Sequence, residues 1–547
     1  MAEHRSSVLI VGGGPAGLVL AIELGRRGVP CTLFEQNSGP PTFPKANSTT
    51  SRTMEHYRRL GLADEIRMLG LPDDYPPDIS YHTQFSRHEI ARLHWQSRKE
   101  ALSARHDADV RWPTPEPLHR AQQMLIEPVL KRRAETLPAI DLRFGWRIEA
   151  IAEEKGAVRV RALKLASDRS EEFTADYAVG CDGPRSLVRR AVGIKYEGVE
   201  AEEGVFLGGR MLAAHLHAPA FYQSAGVQHS WQYWALNRQR FGILIAIDGV
   251  GRFVFHTQLP RGQTGSIDYT RESLALAAGR EFPYEILAVA EWTAGFTLVA
   301  ESYGSQRVFL AGDAAHLFTP TAGLGYNTSV DDAVNLGWKL AAVCQGWGGP
   351  KLLASYETER KPVAHRNTRF ARSIADFFRG LQMPAMLEQD GAGGDDARAA
   401  FGLRLHELSA REFDAPGIHL GVYYGGSPII ATEPGTPPPD DPNWYVPHAR
   451  PGARAPHLWL ENRVALYDRF GRDFTLLKLR PGPDTSGVEQ AARARGLRLD
   501  VVEVRSAAAH DLYECDLALI RPDHHVAWRG DALRDASGLI DRCLGFA

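Results

Sequence analysis

At 547 residues the chain is too long for one ordinary hydrophobic core, so two or three domains are expected. Its 44% hydrophobic and 24% charged residues exclude wholesale disorder. A formal net charge of −3 leaves no basic excess, which argues against nucleic acid as the main partner. In chain order, Ser7–Val11 is a short apolar run that predicts a buried parallel strand. Glycines follow, then helical spacing over Ala16–Arg27 and a second strand over Pro30–Glu35, together a βαβ unit. Residues 75–115 read as mixed strand and loop, and Arg120–Thr136 as helix. Alternation over 141–189 reads as strand. Further strands are expected at Gly204–His217, Gln228–Leu236, Phe241–Asp248 and Arg252–Gln258, a succession that suggests an antiparallel sheet. Arg307–Leu310 is a strand before a glycine turn, with long helices through about residue 380. Ala392–Ala400 and the proline-rich stretch Thr432–His457 read as linkers. The last ninety or so residues alternate strand and helix like a small separate domain.

The five cysteines, Cys31, Cys181, Cys344, Cys515 and Cys543, are scattered and form no CxxC or metal-type spacing. A reduced intracellular protein without metal or disulfide framework is the expectation. No run approaches a bilayer span, and the N-terminal apolar run is too short for a signal peptide, so a cytoplasmic protein without membrane contact is expected.

Gly12-Gly13-Gly14-Pro15-Ala16-Gly17 is a GxGxxG between strand and helix. Gly12 permits the tight turn, Gly14 lets the backbone approach a pyrophosphate, and Gly17 lets the helix pack close to the sheet. The helix N-terminus, with Pro15 and Ala16 in its first turn, offers free N–H groups to phosphates. Glu35 ends the second strand, where its carboxylate can bind ribose hydroxyls and repel a 2′-phosphate, so FAD or NAD is indicated. A second glycine turn, Ala311-Gly312-Asp313-Ala314-Ala315-His316, is followed by Pro320, Gly323, Gly325 and Asn327. Its place suits a dinucleotide laid across the molecule, with Asp313 at a ribityl chain and Gly323–Asn327 at a flavin edge. Between the two lies Cys181-Asp182-Gly183-Pro184-Arg185.

In this order, with Asp332, Asn335, Trp338 and Lys339, the motifs resemble the group A flavoprotein aromatic hydroxylases, whose FAD domain is like that of p-hydroxybenzoate hydroxylase. Gln123-Met124-Leu125-Ile126-Glu127 and Ser355-Tyr356-Glu357-Thr358-Glu359-Arg360-Lys361-Pro362 extend the resemblance. C-terminal stretches extend it further: Gly421–Tyr424, Pro451–His457, Asp468–Leu477, Arg521-Pro522-Asp523 and Ala527–Arg529. These are similar to the phenol hydroxylase, 3-(3-hydroxyphenyl)propionate hydroxylase and polyketide hydroxylase subset, which carries a thioredoxin-like tail. The implied α/β fold has a Rossmann-like FAD-binding domain at 1–75, 116–195 and 290–380. A mainly antiparallel substrate domain is inserted at 76–115 and 196–289. Residues 381–454 form a helix and proline-rich linker, and 455–547 a thioredoxin-like domain without CxxC, serving packing or dimerisation.

The resemblance implies non-covalent FAD, NADPH or NADH as co-substrate, and transfer of oxygen from O2 to an aromatic ring through a flavin C4a-hydroperoxide. A same-fold Baeyer–Villiger or oxidative tailoring reaction is the alternative. An aromatic small molecule and a homodimer are the expected partners. Glu35 would bind the adenosine ribose, Gln123 the phosphate side and Asp313 the ribityl chain. Asp182 and Arg185 match a motif tied to FAD and NAD(P)H. Lys45 stands where the family often has Arg, keeping the charge without the bidentate fork. Arg52 starts a helix close to the cofactor. Asn47 occupies a place where relatives carry a His or Asp base, and an amide cannot act as one. His229 and Tyr233, with Asn47 and Arg52, are the catalytic candidates, and His82, His94 and His256 lie in the same expected domain. Trp231 and Tyr233 would share one strand face, either roofing an aromatic ligand or filling a core.

Overall fold

The computed structural model of the chain describes residues 4–107, 111–200 and 208–547. The first strand, His4–Val11, pairs in parallel with Cys31–Glu35 on one side and with Arg169–Gly180 on the other. Ile140–Phe144 adds to the outer edge of Cys31–Glu35, also in parallel. The long strand Arg169–Gly180 shares its far edge between two partners. Antiparallel Ala157–Lys164 takes the first part and parallel Val308–Leu310 the last three residues. The register aligns Val11 with Gly180 and Gly180 with Leu310. The three glycine-bearing turns therefore leave the carboxyl ends of neighbouring parallel strands at one rim, where open α/β sheets bind ligands.

A second seven-stranded sheet runs Glu285–Ala294, Gly209–His217, Arg252–Gln258, Phe241–Ala246, Gln232–Leu236, Ile79–His82, Glu89–Leu93. All its pairings are antiparallel except Gln232–Leu236 with Ile79–His82. Its apolar side forms a separate core around Phe221, Tyr233, Phe253 and Phe255, to which the Ser355–Gly380 helix contributes Phe370, Ile374 and Phe378.

The last sheet has the order Leu499–Glu503, Phe474–Lys478, Leu517–Ile520, Val526–Gly530. The first pair is parallel and the other two antiparallel. With helices Ser486–Ala494, Ala507–Tyr513 and Ala536–Cys543, this is the βαβαββα order of a thioredoxin-like domain. Its cysteines, Cys515 and Cys543, are free and buried, and burial pushes both thiols up to about 12. Such thiols carry no thiolate at neutral pH.

Three expectations change. Ala392–Ala400 is no linker but the start of the Ala392–Phe413 helix; this stretch is mostly exposed, and the helix meets the second sheet further on, where a Cβ on Gly402 would lie 2.4 Å from the Ile90 carbonyl oxygen. The strand Glu285–Ala294 belongs wholly to the second sheet, so the chain returns to the first domain after residue 294 rather than at 290. The strand expected from Gly204 begins at Gly209, and residues 204–207 lie outside the described residues. Among the described residues, no helix is long and apolar enough to cross a membrane.

Candidate active site

The rim built by the parallel strands is a cleft shaped for a dinucleotide. Gly12 adopts φ +107°, and a Cβ there would lie 2.2 Å from the Cys181 carbonyl oxygen. Beyond the missing Cβ of Gly14 there is open space, which is where a phosphate would approach. The Pro15–Gly25 helix carries no side-chain cap, so its first N–H groups remain available to an anion. Glu35 is held in place by three donors: the Gly13 N–H at 2.8 Å, the Asn37 N–H at 2.8 Å and the Asn37 side-chain amide. A carboxylate has about four acceptor sites, so capacity remains for a ribose hydroxyl.

Asp313 is exposed in the cleft and its carboxylate has no partner among the described residues. The protein around it raises its pKa, and His316 and Lys45 counter that rise. Lys45 is exposed, and it also acts on Glu127 across the cleft. Gln123 starts the Gln123–Glu135 helix, donates to Glu127, and is tied through its own N–H to the Ala46 carbonyl at 2.7 Å. Burial raises Glu127 to about 7. Asp182 accepts from the N–H groups of Leu187 and Val188 through Oδ2, and its Oδ1 is buried without a partner. Arg185 is exposed nearby. The exposed Asp313 carboxylate, the exposed Lys45 and Arg185 and the uncapped helix N–H groups offer donors and acceptors of the kinds that FAD presents partners for.

Some family positions have a different task. The side chain of Asn327 accepts from the Thr50 N–H at 2.8 Å and donates to the carbonyls of Ser48 and Gly323 at 3.0 and 2.8 Å. It staples the 48–50 segment to the start of the Leu324–Cys344 helix, whose N-terminus has no side-chain cap. Pro320 is exposed before this turn, and Gly323 takes φ +62° within it. Gly325 follows on the first turn of the helix.

Arg52 is 4% exposed and is not in the wall of the large aromatic cavity; it borders a small buried gap with His56, Asp331 and Asp523. It donates to Glu55 at 2.9 Å and to the Asp523 carbonyl of the C-terminal domain. Burial forces a guanidinium to find such partners, which removes it from the candidate catalytic set.

The motif residues behind it form one buried network. Asp332 accepts from the Gly312 N–H at 3.1 Å, from His316 at 2.6 Å and from Arg360 at 2.7 Å, pinning the second glycine turn. Glu359 accepts from Lys339, Asn335, Ser427 and both terminal nitrogens of Arg521. Asp523 accepts from Arg521 and Trp338. The network carries the C-terminal domain directly onto the helix behind the flavin-side turn.

On the substrate side, Tyr233 is fully buried; its hydroxyl accepts from the Ser230 N–H at 2.6 Å and donates to the Gln228 carbonyl at 3.0 Å. Edge-to-face packing on Phe221 makes it a core residue rather than a reactive one. His229 is exposed and stacks on Tyr75, with ring centroids 5.1 Å apart. Burial holds both His82 and His256 down to about 4, so each is neutral at physiological pH. His94 projects outward and pairs with Asp78 at 3.0 Å. Asn47 is half-buried beside the cleft. Trp231 belongs to the same core and lies under the Arg120 guanidinium, 3.7 Å from its ring centroid.

Between the helix beginning at Ser51 and the second sheet lies a cavity of about 560 Å³ with Tyr75, Trp95, Trp112, His119 and Arg120 in its walls. That size suits a small organic ligand. Sequence reading missed Trp95, Trp112 and Arg120, which come from separate segments and share no period. The nearest available signal was Arg120, placed just ahead of the Gln123 helix.

The chain matches two family models: an FAD binding domain over residues 5–371, and an aromatic-ring hydroxylase C-terminal domain over residues 448–545. It is 32% identical to the FAD-dependent monooxygenase apdD of Emericella nidulans, covering 99% of this chain and 91% of that one. It is 28% identical to 2,4-dichlorophenol 6-monooxygenase of Delftia acidovorans, covering 98% and 96%. The solved structure of the rebeccamycin biosynthetic enzyme RebC with reduced flavin superposes with a TM-score of 0.89 at 34% identity, over the whole of both chains. The chain belongs to the FAD-dependent monooxygenases that carry an aromatic-ring hydroxylase C-terminal domain.

Proposed function

We propose that this monooxygenase hydroxylates an aromatic, phenol- or polyketide-type substrate, with NAD(P)H and O2 as co-substrates. The observation that carries the reading is the aromatic cavity walled by Tyr75, Trp95 and Trp112 and adjoining the 48–51 segment of the dinucleotide cleft. Arg98, Arg105 and Arg111 also line it together with Asp107 and Asp414; Arg98 pairs with Asp73 and Arg111 with Asp414, so the cavity's charges are largely balanced within the protein. In this reading Glu35 binds the ribose, Gly12, Gly14 and Gly17 admit the pyrophosphate, Lys45 and Gln123 flank it, and Asp182 and Asp313 receive hydroxyl donors. Bound FAD supplies the electrons and activates the oxygen. The protein places the ring, excludes water and manages the proton of the substrate hydroxyl. The likeness to a rebeccamycin biosynthetic enzyme supports a second reading, another oxidative tailoring step on a natural product.

The test is a flavin-reduction screen with NADPH and NADH against a panel of phenols and polyketide aromatics. Reduction accelerated by one ring class, with hydroxylated product matching nucleotide consumed, is expected. Failure of every pyridine nucleotide to reduce the flavin would sink the proposal. Asp313→Ala is expected to weaken FAD retention by about 1.5–3 kcal/mol, the usual worth of a hydrogen bond to a charged group. Flavin left on the protein after gel filtration measures it, and unchanged retention would remove Asp313 from the site.

A further inference from the structure

Glu412 lies near the end of the Ala392–Phe413 helix and is only 6% exposed. Its Oε1 accepts the Ala322 N–H at 2.8 Å, and its Oε2 is buried with no partner. Ala322 sits in the left-handed region, φ +60°, in the turn that leads into the Leu324–Cys344 helix. Arg120, 8% exposed, acts on Glu412 from the other side. It donates to the Ser48 hydroxyl, stacks on Trp231, and keeps its Nε–H without a partner. Ser48 and the 323 turn are themselves joined through Asn327. Carboxylate and guanidinium thus touch the two backbone segments that clasp each other at the flavin-edge end of the cleft.

Burying a carboxylate oxygen with no donor is costly, and the usual remedy is a proton or a ligand O–H. We propose that Glu412 is the proton acceptor for the substrate's ring hydroxyl, with Arg120 as counter-ion to the oxyanion that results. The inference rests on the phenolic reading above. The O–H bond of the substrate breaks, its electron pair stays on the ring oxygen, and the proton joins Glu412 Oε2. Arg120 is in the cavity wall and Glu412 is buried beside it; before transfer this pair is one carboxylate and one guanidinium, and afterwards a neutral carboxyl and the same guanidinium face one phenolate. The buried net charge does not change, so the transfer carries no added charge-burial cost.

Burial pushes the Glu412 carboxyl up to about 7, against the opposing pull of the Ala322 N–H and Arg120. A phenol titrates near 10, so this rise closes part of the gap that an ordinary carboxylate would face. Few other groups face the site. Tyr81 donates or accepts at Ser409, one turn back on the same helix, and Glu412 contributes to raising its pKa. His419 faces Arg120 and is kept neutral by burial. Glu412 would therefore stand in for the base that Asn47 cannot be.

The holoenzyme, Glu412→Gln and Glu412→Asp are compared with 4-nitrophenol as a chromogenic probe, at a pH below the probe's own pKa. Wild type is expected to bind the probe with a phenolate band. The Gln variant should lower the bound phenolate-to-phenol ratio by about tenfold, the factor carried by one pKa unit, and the Asp variant should restore part of it. A merely structural role would change affinity or flavin content and leave the spectrum of the bound probe unchanged. Equal phenolate fractions in wild type and the Gln variant would overturn the proposal. Failure of wild type to bind the probe would instead count against the phenolic substrate reading. A second arm needs no ligand: the infrared difference between wild-type and Gln holoenzymes across pH. A protonated-carboxyl band titrating near neutrality is expected, and a Glu412 carboxylate ionised throughout the acid range would overturn its proton role.

Discussion

Arg521→Ala is expected to lower the unfolding free energy by about 3–5 kcal/mol, the cost of leaving a buried charge without its partner. Arg521 binds Glu359 through both terminal nitrogens, at 2.6 and 2.8 Å, and Asp523 through Nε at 3.0 Å, and none of its side chain is exposed. Burial works to raise the Glu359 pKa, and Arg521 and Lys339 overcome it to hold the carboxyl well below the ordinary range. Without Arg521, two carboxylates face one lysine whose own pKa burial has already brought down to about 8. Denaturant unfolding should show the loss, and adding Glu359→Gln should recover part of it because the orphaned charge is then gone. Additive losses would place Arg521 outside the network.

Removal of residues 455–547 should be more damaging still. It strips Phe474 and Leu476 from the core they share with Trp338 and Trp347, besides removing Arg521 and Asp523. An aggregating, flavin-poor product is expected, because the tail that lacks a CxxC packs against the first domain. Acid should act on the same interface through Glu55, which Arg454 and Arg52 hold down to about 2 against the effect of burial. The folded pKa lies below the unfolded value of 4.5, so this contribution is full above about pH 5 and fades as pH falls toward 2. Loss of the C-terminal domain's docking in that window, before the first domain melts, is the outcome to look for by limited proteolysis.

Gly12→Ala is expected to yield protein that does not retain FAD. The position needs φ +107°, where an L side chain is strained, and the added Cβ would sit 2.2 Å from the Cys181 carbonyl oxygen. Backbone strain of this kind costs about 1–3 kcal/mol, and relief by movement would push the first glycine turn away from the turn carrying Cys181 and Asp182. Since both are walls of one cleft, binding should suffer more than stability. Flavin content of the purified variant and its unfolding midpoint separate the two. Full flavin occupancy would mean that the turn relaxes without moving the cleft wall.

How much of this was legible beforehand follows from where each constraint acts. The glycine turns declare themselves in the sequence because a left-handed φ or a backbone contact is a local demand that glycine alone meets. Their meeting at one rim was foreseeable too, since each follows an apolar strand and parallel strands present their carboxyl ends together. The strands of the second and last sheets were readable as short apolar runs between turn signals, most of them buried along their whole length rather than on alternate residues.

Partnerships between charges were not. Arg52, Asp332, Lys339, Glu359 and Arg521 look like surface residues or cofactor ligands in one dimension, and only folding brings them within hydrogen-bond distance and out of water. Asn327 carried a family motif, yet its amide holds backbone to backbone. Arg120 and Glu412 lie far apart in the chain and share no period, so tertiary packing alone decided that they would face one another. Local backbone geometry is encoded locally, whereas the pairing of buried charges depends on which distant segments the folded chain brings together.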